Sequence, residues 1–463
     1  MKHFSHLVIL VFFISASLYS FGQNAIKFQS DTITKKLTSD FFEKERTVKI
    51  VLPDNYDAKK TYPVIYTLDG YGLFHITSSY AYYLMKYDVI PQSIVVSLYH
   101  NDRNYETSPN YGLNVNIPVT DFLEGSDNLK NHLIHEIVPL IDQGFSTSGF
   151  SVLIGHSNTA TFVNEIITEA ESPFQAYIAI TPDLLQEQID FLEEYITPNS
   201  PQLSYFVSSG TKDDPYRLET GRQLDTVFNN APSNFKGQFK SYEAGHMDLV
   251  PKSLNDALMF AFSEYRNFSE VKEAMKEDQF SLKAYIDEVL ATQSALYGIK
   301  SDLKEEDFFY LSEVVASHHN KTLVKELLDI SEENSFYSKD HLYSDKAQTY
   351  ESARFYEEAL INWKLQIDNG YYKNAFYFLR PFALLTEKLN RPEEAVEFLE
   401  FAIQKFPEEE LRFRYLIAKT SVEHDLDQAK GLTSITYCLD NFRPNKAFSL
   451  EEAKKIKATL IGQ

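Results

Sequence analysis

The residues with the clearest chemical potential lie in the segment SVLIGHSNTA, residues 151–160, where Ser157 follows an apolar run. A serine at a sharp turn from strand to helix is lifted above a sheet, where its hydroxyl can reach a substrate carbonyl. Gly155 supplies the small residue that such a strained turn requires. The spacing predicts a nucleophilic serine, although Thr159 stands where a second glycine completes the usual G-x-S-x-G pattern.

A serine hydroxyl is a weak nucleophile at neutral pH and needs a general base that a carboxylate orients. A predicted strand at 203–208 runs into the turn 210–214, which contains Asp213, and His246 ends a further short apparent strand. The order serine, acid, histidine is the one found along the chains of α/β-hydrolases. We therefore predict that Ser157, Asp213 and His246 meet at one edge of a sheet.

Other carboxylates near Asp213 could orient His246 in its place. Asp213 lies at the tip of its turn, whereas Asp214 precedes Pro215, which favours an extended backbone. Asp248 and Glu243 are weaker candidates. Each predicted residue also has a plainer interpretation, since serines cap helices and aspartates occupy turns.

An oxyanion that forms on the substrate needs two backbone N–H donors, one from the residue after the nucleophile and one from a loop after an earlier strand. Asn158 is the first predicted donor. Tyr71 is the second, with Gly70 or Gly72 as alternatives, because the segment LDGYG, residues 68–72, ends a predicted strand in glycines.

The elements that must position these residues alternate between strand and helix, which predicts a mostly parallel sheet covered on both faces. Binding sites in such sheets collect at the carboxyl ends of the strands. The predicted strands are 47–52, 63–68, 93–98, 151–154, 176–180 and 203–208, and the predicted helices are 121–141, 160–169, 217–228 and 249–265.

The remainder of the chain differs in composition. Of the 16 glycines and 17 prolines, 25 lie within residues 1–270 and 8 follow, which indicates packed helices in the second part. Ala359, Ala395 and Ala429 recur in similar frames at spacings of 36 and 34 residues. This pattern is similar to tetratricopeptide repeats. Ordinary helical packing explains the same alanines, so both interpretations stay open.

The composition limits the partners. The chain has 463 residues, 43% of them hydrophobic, and a formal charge of −22 from 66 acidic and 44 basic side chains, so nucleic acid is an unsuitable partner.

A signal peptide is predicted over residues 1–22, from Lys2, the apolar stretch 7–18 and the small residues near Gly22. We expect a periplasmic or secreted protein without a membrane span after cleavage. Its single cysteine, Cys438, excludes an internal disulfide.

Metal and cofactor sites are not predicted. His132, His135 and Glu136 share a helical face, but their order fits neither common zinc-helix pattern. His318 and His319 are adjacent on a helix and do not face one direction.

Several segments together resemble the putative esterase family of α/β-hydrolases, which includes siderophore, feruloyl and acetylxylan esterases and S-formylglutathione hydrolase. The resemblance covers residues 45–265. It implies an α/β-hydrolase fold and the roles of nucleophile, acid and base for Ser157, Asp213 and His246. The matching segments are KIVLPDNYD at 49–57, YPVIYTLDG at 62–70, NDRNYETSP at 101–109, 136–139 and 180–183. Glu106 stands where the family usually has aspartate, and Ser108 where it has threonine.

We therefore predict an α/β-hydrolase domain over residues 23–268 that cleaves a small-molecule ester, and an all-α, tetratricopeptide-like domain over 269–463. Two alternatives stay open. One is a non-catalytic scaffold that binds a protein partner through the helical repeats, and the other is an acyltransferase with the same three residues. Siderophore, feruloyl or acetyl polysaccharide and simple acyl esters are all compatible with the sequence.

Overall fold

The computed structural model describes residues 32–112 and 116–462. The predicted signal peptide, residues 1–22, and its cleavage site lie outside this range. The chain divides into two compact units. The first runs to Tyr265 and includes Leu296–Lys300, and the second comprises Arg266–Ala295 and the residues from Ser301 onward. The boundary predicted at residue 268 lies close to this division.

Eight strands of the described chain form one sheet in the first unit, in the order β1-β2-β4-β3-β5-β6-β7-β8. Strand β2 is antiparallel to both β1 and β4, and the strands from β3 to β8 run parallel. The predicted fold class is confirmed. The strands are β1 Ile33–Ser39, β2 Lys44–Val51, β3 Tyr62–Thr67, β4 Ile94–Tyr99, β5 Thr147–His156, β6 Ala176–Ile180, β7 Leu203–Gly210 and β8 Phe235–Tyr242.

The burial of each strand explains whether its residues have the apolar pattern from which a strand is predicted. Every residue of β3, β4 and β6 is buried, because helices cover both faces of a parallel sheet. The edge strand β1 has the polar sequence ITKKLTS and only one fully buried residue. The apolar pattern therefore predicted the central strands and missed β1, and it placed the last strand too late, since β8 ends at Tyr242 and not at His246.

Two helical layers cover the sheet. Apolar side chains of α1 and α8 pack in one core cluster, and those of α3 to α7 pack in the other. The helix predicted at 121–141 is interrupted by a π-helical turn at His132–Ile137. The helices are α1 Gly70–Lys86, α2 Arg103–Thr107, α3 Glu124–Asn131, α4 Val138–Gly144, α5 Asn158–Ile166, α6 Gln186–Tyr195, α7 Pro215–Asn230 and α8 Leu249–Ala261.

The second unit is helical throughout its described elements. Helices α12, α14, α16 and α18 begin at residues 321, 356, 392 and 428, so successive starts are 35, 36 and 36 residues apart. The helices are α9 Val271–Ala274, α10 Leu282–Tyr297, α11 Glu305–His318, α12 Lys321–Asn334, α13 Leu342–Ser352, α14 Tyr356–Asp368, α15 Phe376–Ala383, α16 Pro392–Lys405, α17 Glu410–Glu423, α18 Gln428–Asp440 and α19 Leu450–Leu460.

The helix starts show that Ala429 is not equivalent to the earlier alanines of the predicted repeat. Ala359 and Ala395 are buried at the fourth positions of α14 and α16, but Ala429 is exposed at the second position of α18. The fourth position of α18 is Gly431, where a Cβ would lie 2.8 Å from the Cβ of Ser421. Close packing between helices thus explains a small residue at 431 rather than at 429. The tetratricopeptide assignment stays a prediction.

Candidate active site

Ser157 occupies a strained turn between β5 and α5. Its backbone angles are φ 62° and ψ −125°, a region that non-glycine residues adopt rarely and at a cost of about 1–3 kcal/mol. At Gly155, a Cβ would lie only 2.2 Å from the carbonyl oxygen of Thr159. The close return of α5 onto the end of β5 therefore explains the glycine and lifts Ser157 to the carboxyl edge of the sheet.

Asp213 and His246 lie in the loops that follow β7 and β8. His246 Nδ1 is 2.8 Å from Asp213 Oδ2. These two loops approach closely, since a Cβ on Gly210 would lie 2.3 Å from the carbonyl oxygen of Ala244. The carboxylate can accept the Nδ1 proton, which leaves Nε2 of His246 as a proton acceptor.

Asp213 is held in its ionised form. Burial alone raises the pKa of this carboxyl, but hydrogen bonds from Thr181, His246 and the Asp214 N–H outweigh burial and lower it from its ordinary value. Thr181 Oγ1 donates to Oδ2 at 2.7 Å, and the Asp214 N–H donates to Oδ1 at 2.8 Å. A fixed negative charge therefore faces the imidazole of His246.

The other candidate acids have different partners. Asp214 caps α7 by accepting the N–H of Tyr216 at 3.0 Å. Asp248 accepts the N–H of Gly245 at 2.7 Å, and Glu243 forms an exposed pair with a lysine. Of these acids, Asp213 is the one that contacts His246.

Ser157 and His246 line the same cavity, which has a volume of about 610 Å³. Its lining combines apolar side chains with imidazole, hydroxyl and guanidinium groups. The lining residues are Asp69, Tyr71, Gly72, Leu73, Ile76, His100, Asn101, Arg103, His156, Ser157, His246, Met247, Val250 and Pro251.

The two residues predicted to stabilise an oxyanion begin helices. Tyr71 is the second residue of α1 and Asn158 is the first of α5, so their N–H groups precede the intrahelical bonding pattern. Tyr71 lines the cavity, whereas Asn158 is not among the described lining residues. Gly70 packs against β4, because a Cβ there would lie 2.6 Å from the ring of Tyr99. Contact with Tyr99 therefore explains the glycine at position 70, and the approach of a ligand is not needed to explain it.

Two residues that sequence reasoning missed support the candidate site. Thr181 follows β6 with φ 52°, and its hydroxyl contacts Asp213. His156 Nε2 lies 3.0 Å from the carbonyl oxygen of His246, and the two rings are 4.8 Å apart. Burial lowers the pKa of His156, which favours a neutral imidazole. The position of His156 beside Ser157 was the one available sequence signal.

The histidines considered for metal binding have other partners. His132 Nδ1 contacts the carboxylate of Glu136, and His319 Nδ1 lies 3.2 Å from the carbonyl oxygen of Ala353. Across residues 32–112 and 116–462 there is no group of three His, Cys, Asp or Glu side chains that could hold a metal ion. No helix within the same ranges is both long and apolar enough to cross a membrane.

Comparisons with known proteins address the fold and the family. The chain is similar to an uncharacterised protein from Capnocytophaga ochracea, with a TM-score of 0.57, 16% identity, and coverage of 73% of this chain and 93% of that one. It is also similar to an IroE-like serine hydrolase from Shewanella oneidensis, with a TM-score of 0.50, 20% identity, and coverage of 70% and 100%. At these identities the likeness shows the fold alone.

A search of the curated proteins finds no match. The sequence model of the putative esterase family, in contrast, matches residues 39–248, a range that contains Ser157, Asp213 and His246. The family match and the α/β-hydrolase fold support the hydrolysis of esters. This segment, 210 of the 463 residues, is therefore similar to the putative esterase family of α/β-hydrolases.

Proposed function

We propose that the protein cleaves carboxylic esters with Ser157 as nucleophile, His246 as general base and Asp213 as the acid that orients the imidazole. The observation that carries this proposal is the 2.8 Å contact between His246 Nδ1 and Asp213 Oδ2 beside the cavity that Ser157 lines. The strained turn at Ser157 supports it, because such turns present a serine hydroxyl above the sheet.

The reaction proceeds in two halves. Ser157 Oγ bonds to the ester carbonyl carbon while His246 Nε2 takes the hydroxyl proton. The N–H groups of Tyr71 and Asn158 stabilise the negative oxygen. The bond to the alcohol then breaks, and the alcohol leaves with the proton from His246. Water attacks the acyl-enzyme by the same route, which releases the acid and restores Ser157.

The cavity favours a substrate with an apolar portion. Its lining includes aliphatic side chains from α1 and α8 and the thioether of Met247, which precedes α8, and the volume of about 610 Å³ suits a drug-sized molecule. Siderophore, feruloyl or acetyl polysaccharide and simple acyl esters are the classes to compare in one hydrolysis panel. An acyltransferase with the same residues would instead yield new esters when alcohols or sugars are added.

The decisive experiment replaces the nucleophile. We expect Ser157→Ala to lose nearly all hydrolysis of a p-nitrophenyl acyl ester and all labelling by a fluorophosphonate probe, because only an activated serine reacts. Ser233→Ala, at an exposed turn, is the matched control and should keep both. Equal hydrolysis by Ser157→Ala and the wild type would refute the assignment, and a wild type without labelling would favour the scaffold alternative.

We also propose that the protein is exported, with cleavage after Gly22. The supporting observation is the N-terminal signature of Lys2, the apolar stretch 7–18 and the small residues near Gly22. N-terminal sequencing of the protein secreted by an expressing bacterium should begin at Gln23. A chain that retains Met1 in the cytoplasm would contradict export.

For the helical unit we propose a binding role, and the occupant to which we commit is an extended peptide that carries basic and apolar side chains. The support is a groove of about 660 Å³ with acidic and aromatic walls, here named the acidic groove. None of its described lining residues is basic, so it complements a cationic ligand. They are Glu305, Phe309, Ser312, Glu313, Ala316, Ser317, Phe336, Tyr337, Ser338, Asp345, Gln348, Thr349 and Ser352.

A further inference from the structure

Thr159 forms an unusual polar contact beneath the candidate site. It stands at the last position of the G-x-S-x-G pattern, and its side chain is fully buried. Its Oγ1 lies 2.8 Å from Asp69 Oδ2, 2.8 Å from the backbone nitrogen of His156 and 2.9 Å from the carbonyl oxygen of the same residue. The hydroxyl accepts from the His156 N–H, and its single proton favours the Asp69 carboxylate, because a carboxylate is a stronger acceptor than a carbonyl oxygen. This contact connects the turn around Ser157 to the loop after β3.

Asp69 is fixed from several directions. Its backbone is left-handed, with φ 56° and ψ 51°, and its N–H donates to His100 Nε2 at 3.3 Å. Arg103 binds its carboxylate through two contacts of 2.5 and 2.9 Å, and the same guanidinium lies 3.4 Å from the carbonyl oxygen of His156. Thr159 and Arg103 thus make two independent connections between Asp69 and the turn.

A buried ion pair supports this arrangement. Glu106 accepts two hydrogen bonds from Arg46, both at 2.6 Å, and its Oε2 lies 2.8 Å from His100 Nδ1. Burial raises the pKa of Glu106, but the hydrogen bonds from Arg46, His100 and the Asp102 N–H hold it well below its ordinary value. The ionised carboxylate favours a proton on His100 Nδ1, which leaves Nε2 free to accept the Asp69 N–H.

We propose that Thr159 and Asp69 are positioning residues that set the separation of the two oxyanion donors. This inference rests on the proposed function. Asn158 directly precedes Thr159, and Tyr71 lies two residues after Asp69, so each predicted donor lies within two residues of one end of the 2.8 Å contact. Arg103 neutralises the Asp69 carboxylate, which would otherwise oppose the negative charge that develops on the substrate.

The test compares two replacements that separate the hydroxyl of Thr159 from its methyl group. Thr159→Val keeps the branched shape and removes the hydroxyl, whereas Thr159→Ser keeps the hydroxyl. Loss of an oxyanion donor lowers kcat by about 10²–10³, so displacement of one should lower it by about 10–100-fold. We expect this loss for Thr159→Val with KM changed by less than about threefold, and recovery to within about threefold of the wild type for Thr159→Ser.

The affinity for a trifluoromethyl ketone inhibitor distinguishes a positioning role of Thr159 from a general effect on the fold. Its adduct with Ser157 carries an oxyanion, so Thr159→Val should weaken this inhibitor by the same factor by which it lowers kcat/KM. Thr168→Val is the matched control, because the Thr168 hydroxyl only donates to the carbonyl oxygen of Glu165 at 3.0 Å. It should leave kcat and inhibition unchanged.

The outcomes separate this inference from the proposed function. Full kcat for Thr159→Val, or equal losses for the valine and serine variants, would overturn the positioning role even if Ser157→Ala is inactive. A loss of kcat with unchanged inhibitor affinity would overturn it as well. If Ser157→Ala retains wild-type hydrolysis, the proposed function itself fails.

Discussion

The cavity lined by Ser157 and the acidic groove of the helical unit enclose similar volumes, about 610 and 660 Å³, but their backbones differ. Asp69 and Ser157, which line the first cavity, and Thr181, which contacts Asp213, have positive φ and lie within two residues of the ends of β3, β5 and β6. None of the described residues that line the acidic groove has a positive φ.

This difference shows what each architecture can supply. A parallel sheet buried on both faces is rigid enough to hold strained residues at one edge, where side chains from distant segments converge. Packed helices present side chains from regular backbone, which suits binding over a broad surface. We therefore expect changes beside Ser157 to affect catalysis strongly, and changes in the acidic groove to affect only binding.

The largest effect should come from the acid beside His246. We expect Asp213→Asn to lower kcat by about 10³–10⁴-fold, because an amide no longer fixes the proton on His246 Nδ1. Steady-state kinetics with a p-nitrophenyl ester measures the loss. Asp214→Asn is the neighbouring control, since asparagine also caps helices well, and it should stay within about twofold of the wild type. Similar losses for the two variants would contradict the distinct roles of the two carboxylates.

The sequence predicted much of this site because its signals are local. Ser157 stands in a recognisable turn motif, and Asp213 and His246 each follow a strand pattern. The contacts of Thr181 and Arg103 join segments that are far apart in the chain, so no local pattern revealed them. They became apparent only when the positions of the strand ends were known.

The same limit applies to the fold. The apolar strands of the buried sheet were predicted within a few residues, whereas the polar edge strand β1 had no hydrophobic signal. In the helical unit, Ala429 resembled the earlier repeat alanines, but the structure places Gly431 in the equivalent helical position. Small residues near one another in a helix do not identify by themselves which one faces the neighbouring helix.

One carboxyl in each unit contributes to stability, and the two contributions at neutral pH have opposite signs. Burial raises the pKa of Glu106, in the sheet unit. Hydrogen bonds from Arg46 and His100 stabilise the carboxylate more strongly, so the pKa lies below its ordinary value of 4.5. Asp345, in the acidic groove, has its pKa raised by burial. Ionised Glu106 therefore stabilises the fold, whereas ionised Asp345 opposes it.

At pH 7 we expect Glu106→Gln to lower the free energy of unfolding by about 3–5 kcal/mol, because the partner Arg46 loses its buried counter-charge. This difference should shrink as the pH falls below 4.5, where the unfolded chain binds a proton that the folded wild type does not. Asp345→Asn should instead raise the free energy of unfolding at pH 7, and its effect should fade as the pH falls. Urea unfolding between pH 3 and 7 measures the change in the free energy of unfolding for both variants. Changes of the same sign would contradict the opposite contributions of Glu106 and Asp345.

The smallest effect on catalysis should come from the acidic groove. Glu313 lies on the exposed face of α11, so Glu313→Gln should leave kcat/KM for ester hydrolysis within about twofold of the wild type while weakening a basic peptide that occupies the groove. Fluorescence anisotropy with a labelled Lys- and Leu-containing peptide at 0.15 M salt measures the binding. Glu397→Gln, an exposed change outside the groove, removes the same charge and serves as the control for general attraction to an acidic protein. If both variants weaken the peptide equally, net charge explains the binding and the groove has no specific role; if only Glu313→Gln weakens it while hydrolysis persists, the two units carry separable functions.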